Sequence, residues 1–163
     1  MTSRIRDFVD DDIPAIGVLI RSILAEFKFT HDVGGLRRDL ERMSERYRRP
    51  RSGLWVAVRA FEGEERLVGT VGIRPKDERT CELKRLYVDP AERGIGLGQQ
   101  LYEHAERFAR ATGYERIWLD SSNRFTKARR LYERNGFMLL EAVDNDWQDA
   151  IFEKILAIGG HEA

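Results

Sequence analysis

Leu86-Tyr87-Val88-Asp89-Pro90-Ala91-Glu92-Arg93-Gly94-Ile95-Gly96-Leu97-Gly98 leads from a strand through a turn into a helix. The glycines let successive backbone N–H groups turn toward one point. The helix N-terminus adds its partial positive charge, and the two together form a cradle for phosphate. A glycine-rich turn that only permits tight strand–helix packing is the other reading. The position between a strand and an amphipathic helix favours the cradle. No Gly-Lys-Ser/Thr follows, so the loop is not a P-loop. A dinucleotide fold fits in part, because Asp120 ends the next strand at close to the spacing of a ribose-binding acid. The G-x-G-x-G spacing, the spacer 89–93 and the little chain after Asp120 all oppose it.

Upstream of the loop, residues 82–88 read as a strand, preceded by strands over 55–60 and 67–73. A short strand over 5–8 opens the chain. The acids Asp10, Asp11 and Asp12 with Pro14 then signal a helix start. Ile16, Leu19, Ile20, Ile23, Leu24 and Phe27 recur at three and four, which is a helical stripe. Leu36, Leu40, Met43 and Tyr47 continue with a second amphipathic helix. Downstream, a helix from Leu97 ends near Gly113, and a strand spans 117–120. A helix over 128–134 is capped by Asn135-Gly136, and strands over 138–142 and 150–154 complete the pattern. The whole of 1–163 reads as one mixed α/β domain without repeats.

The 28 Lys+Arg balance the 28 Asp+Glu, which excludes a basic nucleic-acid footprint over the whole chain. Hydrophobic residues at 42% suffice for one core. One cysteine, Cys81, allows no intrachain disulfide, and it reads as a core or edge residue. The three histidines are scattered, so no metal is expected. His104 reads as structural or exposed. Apolar runs are far shorter than the roughly 20 residues of a membrane span. The N-terminal residues lack a signal-peptide core, so the expected location is the cytoplasm. The segment 28–51 is rich in arginine and reads as a solvated face or as a rim for an anionic ligand.

The run from Leu86 to Gly98 resembles the acetyl-coenzyme A motif of the GNAT superfamily of acyltransferases, R/Q-x-x-G-x-G/A. Ala128-Arg129-Arg130-Leu131-Tyr132-Glu133-Arg134-Asn135-Gly136-Phe137 is similar to that superfamily's A-x-x-L-Y-x-x-x-G-F. Two motifs in order, with a helix and a strand between them, are far more specific than either alone. The resemblance implies a mostly antiparallel mixed sheet of six to seven strands with about four helices, splayed at the middle strands. It implies an N-acetyltransferase with acetyl-CoA as cosubstrate, direct transfer and no metal. The acceptor would be a primary amine of a small molecule or an amino-acid-like molecule, bound beneath the N-terminal helices. Arg37 and Arg38 are candidates there for an acceptor carboxylate. A non-catalytic coenzyme A sensor or partner module is the alternative.

The resemblance also assigns residues. The backbone of Arg93, Gly94, Ile95, Gly96, Leu97 and Gly98 would hold the pyrophosphate. The strand around Leu86 and Val88 would pair with the pantetheine arm, and its free N–H groups would polarise the acetyl carbonyl. Ala128 would pack beside the cofactor. Tyr132 would face the sulfur and give a proton to the thiolate, beside a plain core reading, and Glu82 would serve as base through a water or be a surface Glu paired with a neighbouring Lys or Arg. A bulge, frequent in this strand, would reverse side-chain parity after it. Many members place an Asn where Phe125 stands, and Ser121-Ser122 looks like the L-E-T-G variant. Asn123 is the candidate replacement. Arg129, with Arg124, Lys127 and Arg130, forms a basic cluster that meets a cofactor phosphate or is ordinary helix-surface charge. Dimers are common among proteins of this resemblance, so a homodimer using the Trp147 region is an expectation, beside a core role for Trp147.

Overall fold

Asp10–Asp12 form a 3-10 turn that feeds directly into the first helix, with Pro14 in its first turn. Arg6 clamps Asp12 through bonds of 2.8 and 3.0 Å, which ties the first strand to this helix start. The computed structural model describes residues 3–29, 32, 35–142 and 149–156. Its elements in chain order are β1 (Arg4–Asp7), α1 (Ile13–Glu26), α2 (Leu36–Glu41), α3 (Met43–Arg46), β2 (Gly53–Phe61) and β3 (Glu64–Pro75). There follow β4 (Thr80–Val88), α4 (Leu97–Thr112), β5 (Arg116–Ser122), α5 (Thr126–Arg134), β6 (Met138–Ala142) and β7 (Asp149–Ile155). Trp147 lies outside the described residues.

The seven strands form one sheet in the order β1-β2-β3-β4-β5-β7-β6. Only β4 and β5 pair in parallel; the other neighbours are antiparallel. This is the mixed, mostly antiparallel sheet that the sequence predicts, and it excludes the doubly wound dinucleotide fold. The helical count differs at one place. The stretch from Leu36 to Tyr47 breaks at Arg42 (φ −119°) into α2 and α3. The break lets Tyr47 and Arg46 fold back to hydrogen-bond Asp39, at 2.7 and 3.2 Å, while Leu36, Leu40 and Met43 stay buried.

Two cores sandwich the sheet. Ile16, Ile20, Leu24, Leu40, Met43 and Tyr47 cover Leu54, Val56 and Val58 on one face. Leu97, Leu101, Tyr102, Ala105 and Leu131 cover Trp55, Ala57, Val71 and Ile73 on the other. Glycines of β3 allow both approaches. A Cβ on Gly69 would lie 2.8 Å from Leu101, and one on Gly72 would lie 2.8 Å from the Tyr47 ring.

β4 carries the irregularity that shapes the molecule. Its register against β3 jumps from Thr70↔Tyr87 to Gly72↔Lys84, so Arg85 and Leu86 together oppose Val71. Arg85 has φ 59°, a left-handed conformation that is rare for a residue with a side chain. Cys81 and Leu83 pack in the α4 core before the bulge, and Leu86 and Val88 pack against it after. The parity reversal expected from the sequence therefore falls at Arg85.

Asp39 anchors this bulge. Its carboxylate is fully buried and takes bonds from Arg85 Nε at 2.8 Å, Tyr47 and Arg46. Burial pushes its pKa up, but Arg85, Tyr47 and Arg46 outweigh that and hold it below the usual value. Its stabilisation is therefore complete above about pH 4 and is lost as pH falls toward the lower folded value. Asp39→Asn is expected to cost on the order of 3 kcal/mol at pH 7 by leaving Arg85 buried without its counter-ion. Urea unfolding at pH 7 and pH 3 checks this: the gap between wild type and variant should narrow at the lower pH.

Candidate functional site

Pairing between β4 and β5 stops at Glu82↔Trp118, while β5 stays paired to β7 as far as Ser122↔Asp149. The two middle strands splay beyond that point. From Leu83 to Val88 one edge of β4 has lost its neighbour, and its backbone groups face a cleft of about 860 Å³. A free strand edge of this kind accepts an extended ligand as an added strand would.

The glycine loop closes one end of the cleft. Asp89 caps the short turn Pro90–Glu92 by accepting from the Ala91 N–H at 2.9 Å. Gly94 and Gly96 then take φ of 84° and 85°, and Gly96 is the N-cap of α4. A Cβ at either would meet nothing within 4 Å, so both face open space. The turn exposes the first amides of α4 in the manner of an anion-binding helix start. Lys127, Arg130 and Arg134 of α5 line the same cleft and add positive charge. The Arg93 side chain is committed elsewhere. It chelates Glu26 of α1 at 2.7 and 3.0 Å and holds that carboxyl below its usual range. Arg93 thus ties the loop to α1, while its backbone stays on the cleft wall.

The structure brings together most of the sequence candidates. Leu86, Val88, Arg93, Gly94, Gly96, Leu97, Gly98, Ala128 and Tyr132 all line the cleft. Four do not. Ile95 is exposed beside the loop. Asn123 and Arg129 lie off the cleft wall, where Arg129 donates to Asn123 at 3.3 Å and its guanidinium sits 5.6 Å from the Phe152 ring. Glu82 sits where β4 still pairs with β5, ahead of the splay, and its carboxylate lies 3.5 Å from Lys84. Arg37 and Arg38 are exposed on α2, away from the cleft.

Tyr132 comes from α5, its ring packed near Phe137 and Phe152. Its hydroxyl has no hydrogen-bond partner among the described residues. Burial, then Tyr87, then Asp120 raise its pKa, so the phenol stays protonated. Asp120, on β5 just past the splay, is exposed and lines the cleft with Tyr87 and Arg85. The sequence reading weighed Asp120 only as a ribose ligand. It gave Arg85, Tyr87, Phe27 and Ile23 no role in the site, because their convergence depends on the bulge and on the docking of α1. Cys81 is buried and its thiol is pushed up to about 12, which fits an inert core residue. His104, half-buried, stacks edge-on against Trp55 in a structural role.

Residues 20–137 match the acetyltransferase (GNAT) family. A protein of Escherichia coli (strain K12), named Uncharacterized N-acetyltransferase YjgM, is 37% identical over 131 residues, 77% of this chain and 76% of that protein. Among solved structures, an acetyltransferase of GNAT family from Staphylococcus aureus Mu50 superposes with a TM-score of 0.85 at 21% identity, covering 95% of this chain and 99% of that one. The PaiA N-acetyltransferase of Thermoplasma acidophilum, solved in complex with coenzyme A, gives 0.72 at 20% identity over 96% of this chain and 100% of that one.

The two glycines at the start of α4 should respond differently to substitution. Gly96→Ala puts a side chain on a left-handed residue and should cost about 1–2 kcal/mol. Gly98 is helical, and its Cβ would meet Leu131 at an ordinary 3.5 Å. Gly98→Ala should leave stability unchanged or slightly raised. Thermal unfolding of both variants checks the contrast.

Proposed function

The chain belongs to the GNAT family of acetyltransferases, and from that we propose that it transfers an acetyl group from acetyl-coenzyme A directly to a primary amine of a small molecule. The observation that carries this reading is the juxtaposition in one cleft of a β4 edge that β5 has left, a left-handed glycine loop and a tyrosine hydroxyl without a hydrogen-bond partner among the described residues.

The residues present fit the acyl donor. The backbone around Gly94 and Gly96, with Lys127, Arg130 and Arg134, suits a pyrophosphate or ribose phosphate. The free edge from Leu83 to Val88 suits an amide-bearing arm. Acetyl-coenzyme A supplies an acyl group activated as a thioester. Backbone N–H groups of the β4 edge would donate to the carbonyl oxygen as charge grows there. Asp120, on the opposite wall, would accept the proton that the amine sheds as its lone pair enters the new C–N bond. Tyr132 would donate to the sulfur as the C–S bond breaks. The amine nitrogen thus gains the acyl carbon, the sulfur keeps the electron pair, and the proton passes from Asp120 through water to the thiolate, which is a stronger base than a carboxylate and leaves as the thiol. Asp120 takes the base role because Glu82 lies off the cleft and holds Lys84 instead.

Acetyl-coenzyme A at about 100 times its dissociation constant should raise the melting midpoint by about 5–11 °C, and NAD should not. Thiol release on an amine panel then separates an enzyme from a binding module. Tyr132→Phe should lower kcat about 10–100-fold, the value of a hydrogen bond to a charged group, while coenzyme A affinity stays within about twofold. An unchanged kcat would remove Tyr132 from the mechanism.

A further inference from the structure

The wall of the cleft beneath α1 to α3 carries charges that acetyl transfer to a plain amine does not require. Arg85 lines the cleft there, and Lys84 beside it does too. The Arg85 guanidinium is fixed by Asp39, which Arg46 and Tyr47 also hold. Glu82 and Asp39 are the carboxylates paired with this group, against Lys84, Arg46 and Arg85, so cations are in excess. Arg74, whose side chain acts electrostatically on Tyr47, adds a further cation to the same neighbourhood. Packing alone would be better served by an apolar side chain than by a buried guanidinium, which has to be desolvated.

Across the splay, β5 presents one carboxylate, Asp120, which is exposed and lines the cleft. Burial pushes the Tyr87 phenol up; the Arg85 guanidinium, which donates to it, opposes that in part, and Asp120 adds to the rise. Tyr87 lines the cleft together with Arg85 and Asp120. Beside it the surface is apolar: Phe27 and Phe125 stack edge-on at 4.9 Å, Tyr87 meets Phe125 at 6.2 Å, and Ile23 lines the same side.

We propose that the acceptor is an α-amino acid with an apolar side chain, its carboxylate at Arg85 and Lys84, its amino group at Asp120 and its side chain against Phe27 and Phe125. This rests on the acetyl-transfer reading of the cleft. An alkylamine without a carboxylate would bring only a positive charge to a wall that already has an excess of it. A zwitterion with an apolar side chain meets all three surfaces at once. The carboxylate specificity expected of Arg37 and Arg38 moves to Arg85, because α2 turns those two arginines to solvent.

The test uses the full chain with acetyl-coenzyme A and thiol detection. L-phenylalanine should show kcat/KM at least tenfold above 2-phenylethylamine, which lacks only the carboxylate, and above L-aspartate, which lacks the apolar side chain. Arg85→Lys should shrink the first ratio chiefly through KM, because lysine keeps the charge but loses the planar fork. The comparison of acceptors on the wild-type chain decides the matter even where the Arg85 variant does not fold. Equal or better turnover of 2-phenylethylamine overturns the proposal. So does turnover confined to L-aspartate, or no turnover of any of the three while acetyl-coenzyme A still raises the melting midpoint; in each case acetyl transfer is left standing. No shift with acetyl-coenzyme A overturns the reading of the cleft itself, and the acceptor class with it.

Discussion

Arg85 is held in a conformation that its side chain disfavours, and the shape of the cleft depends on it. A left-handed residue other than glycine costs roughly 1–2 kcal/mol. Two contacts offset that cost from opposite ends of the residue. Thr70 Oγ1 donates to the Arg85 carbonyl at 2.6 Å, fixing the backbone of the bulge. Asp39 takes the guanidinium at 2.8 Å, fixing the side chain to α2. A bulge bends and twists the strand that carries it. Here it lies just past the last β4–β5 pair, so β4 is bent where β5 has left it. The unpaired edge results from this local geometry as much as from the path of β5.

The same bulge sorts the side chains of β4 between the two cores. Leu86 and Val88 pack with Ala128, Leu131 and Tyr132 on the α4 and α5 face. Tyr87 packs with Phe27 and Phe125 on the α1 to α3 face. The cleft therefore has two chemically distinct sides that share one strand edge. One side ends in the glycine loop and the cations of α5. The other ends in aromatic rings and the Arg85–Asp39 pair. Arg93 joins them, with its backbone in the loop and its guanidinium on Glu26 of α1.

How much of this was legible in the sequence follows from how local each feature is. The glycine loop and the helix after it are contiguous, so residues 93–98 could be read directly, and the seven strands followed from periodicity. The splay and the bulge were legible only through resemblance, since no residue between Leu83 and Val88 announces a left-handed turn. Asp39 looked like one more charge on a basic helix, because its partners Arg85 and Tyr47 meet it only through tertiary packing. Asn123 stands near the place of the superfamily's usual Asn, and Arg129 belongs to a basic cluster suited to a cofactor phosphate. Their mutual hydrogen bond, which occupies them beside the cleft, depends on side-chain directions that spacing does not encode.

Those side-chain directions also decide what Tyr132 can do. A free phenol of pKa about 10 is already a weaker acid than a thiol of about 8.5, so complete transfer to a thiolate is uphill by about 2 kcal/mol. Burial and the nearby Tyr87 and Asp120 raise the phenol further, which makes complete transfer less favourable still. The same surroundings make Tyr132 a dependable hydrogen-bond donor, since it is never ionised at neutral pH. The sequence reading cast it as an acid, whereas its environment suits it to stabilising charge without surrendering the proton. On the proposed reading, the amine's proton would then leave by way of Asp120, the carboxylate of β5 that lines the cleft. Asp120, which lines the same cleft, is one of the groups that raise the Tyr132 phenol, so the two residues are linked electrostatically.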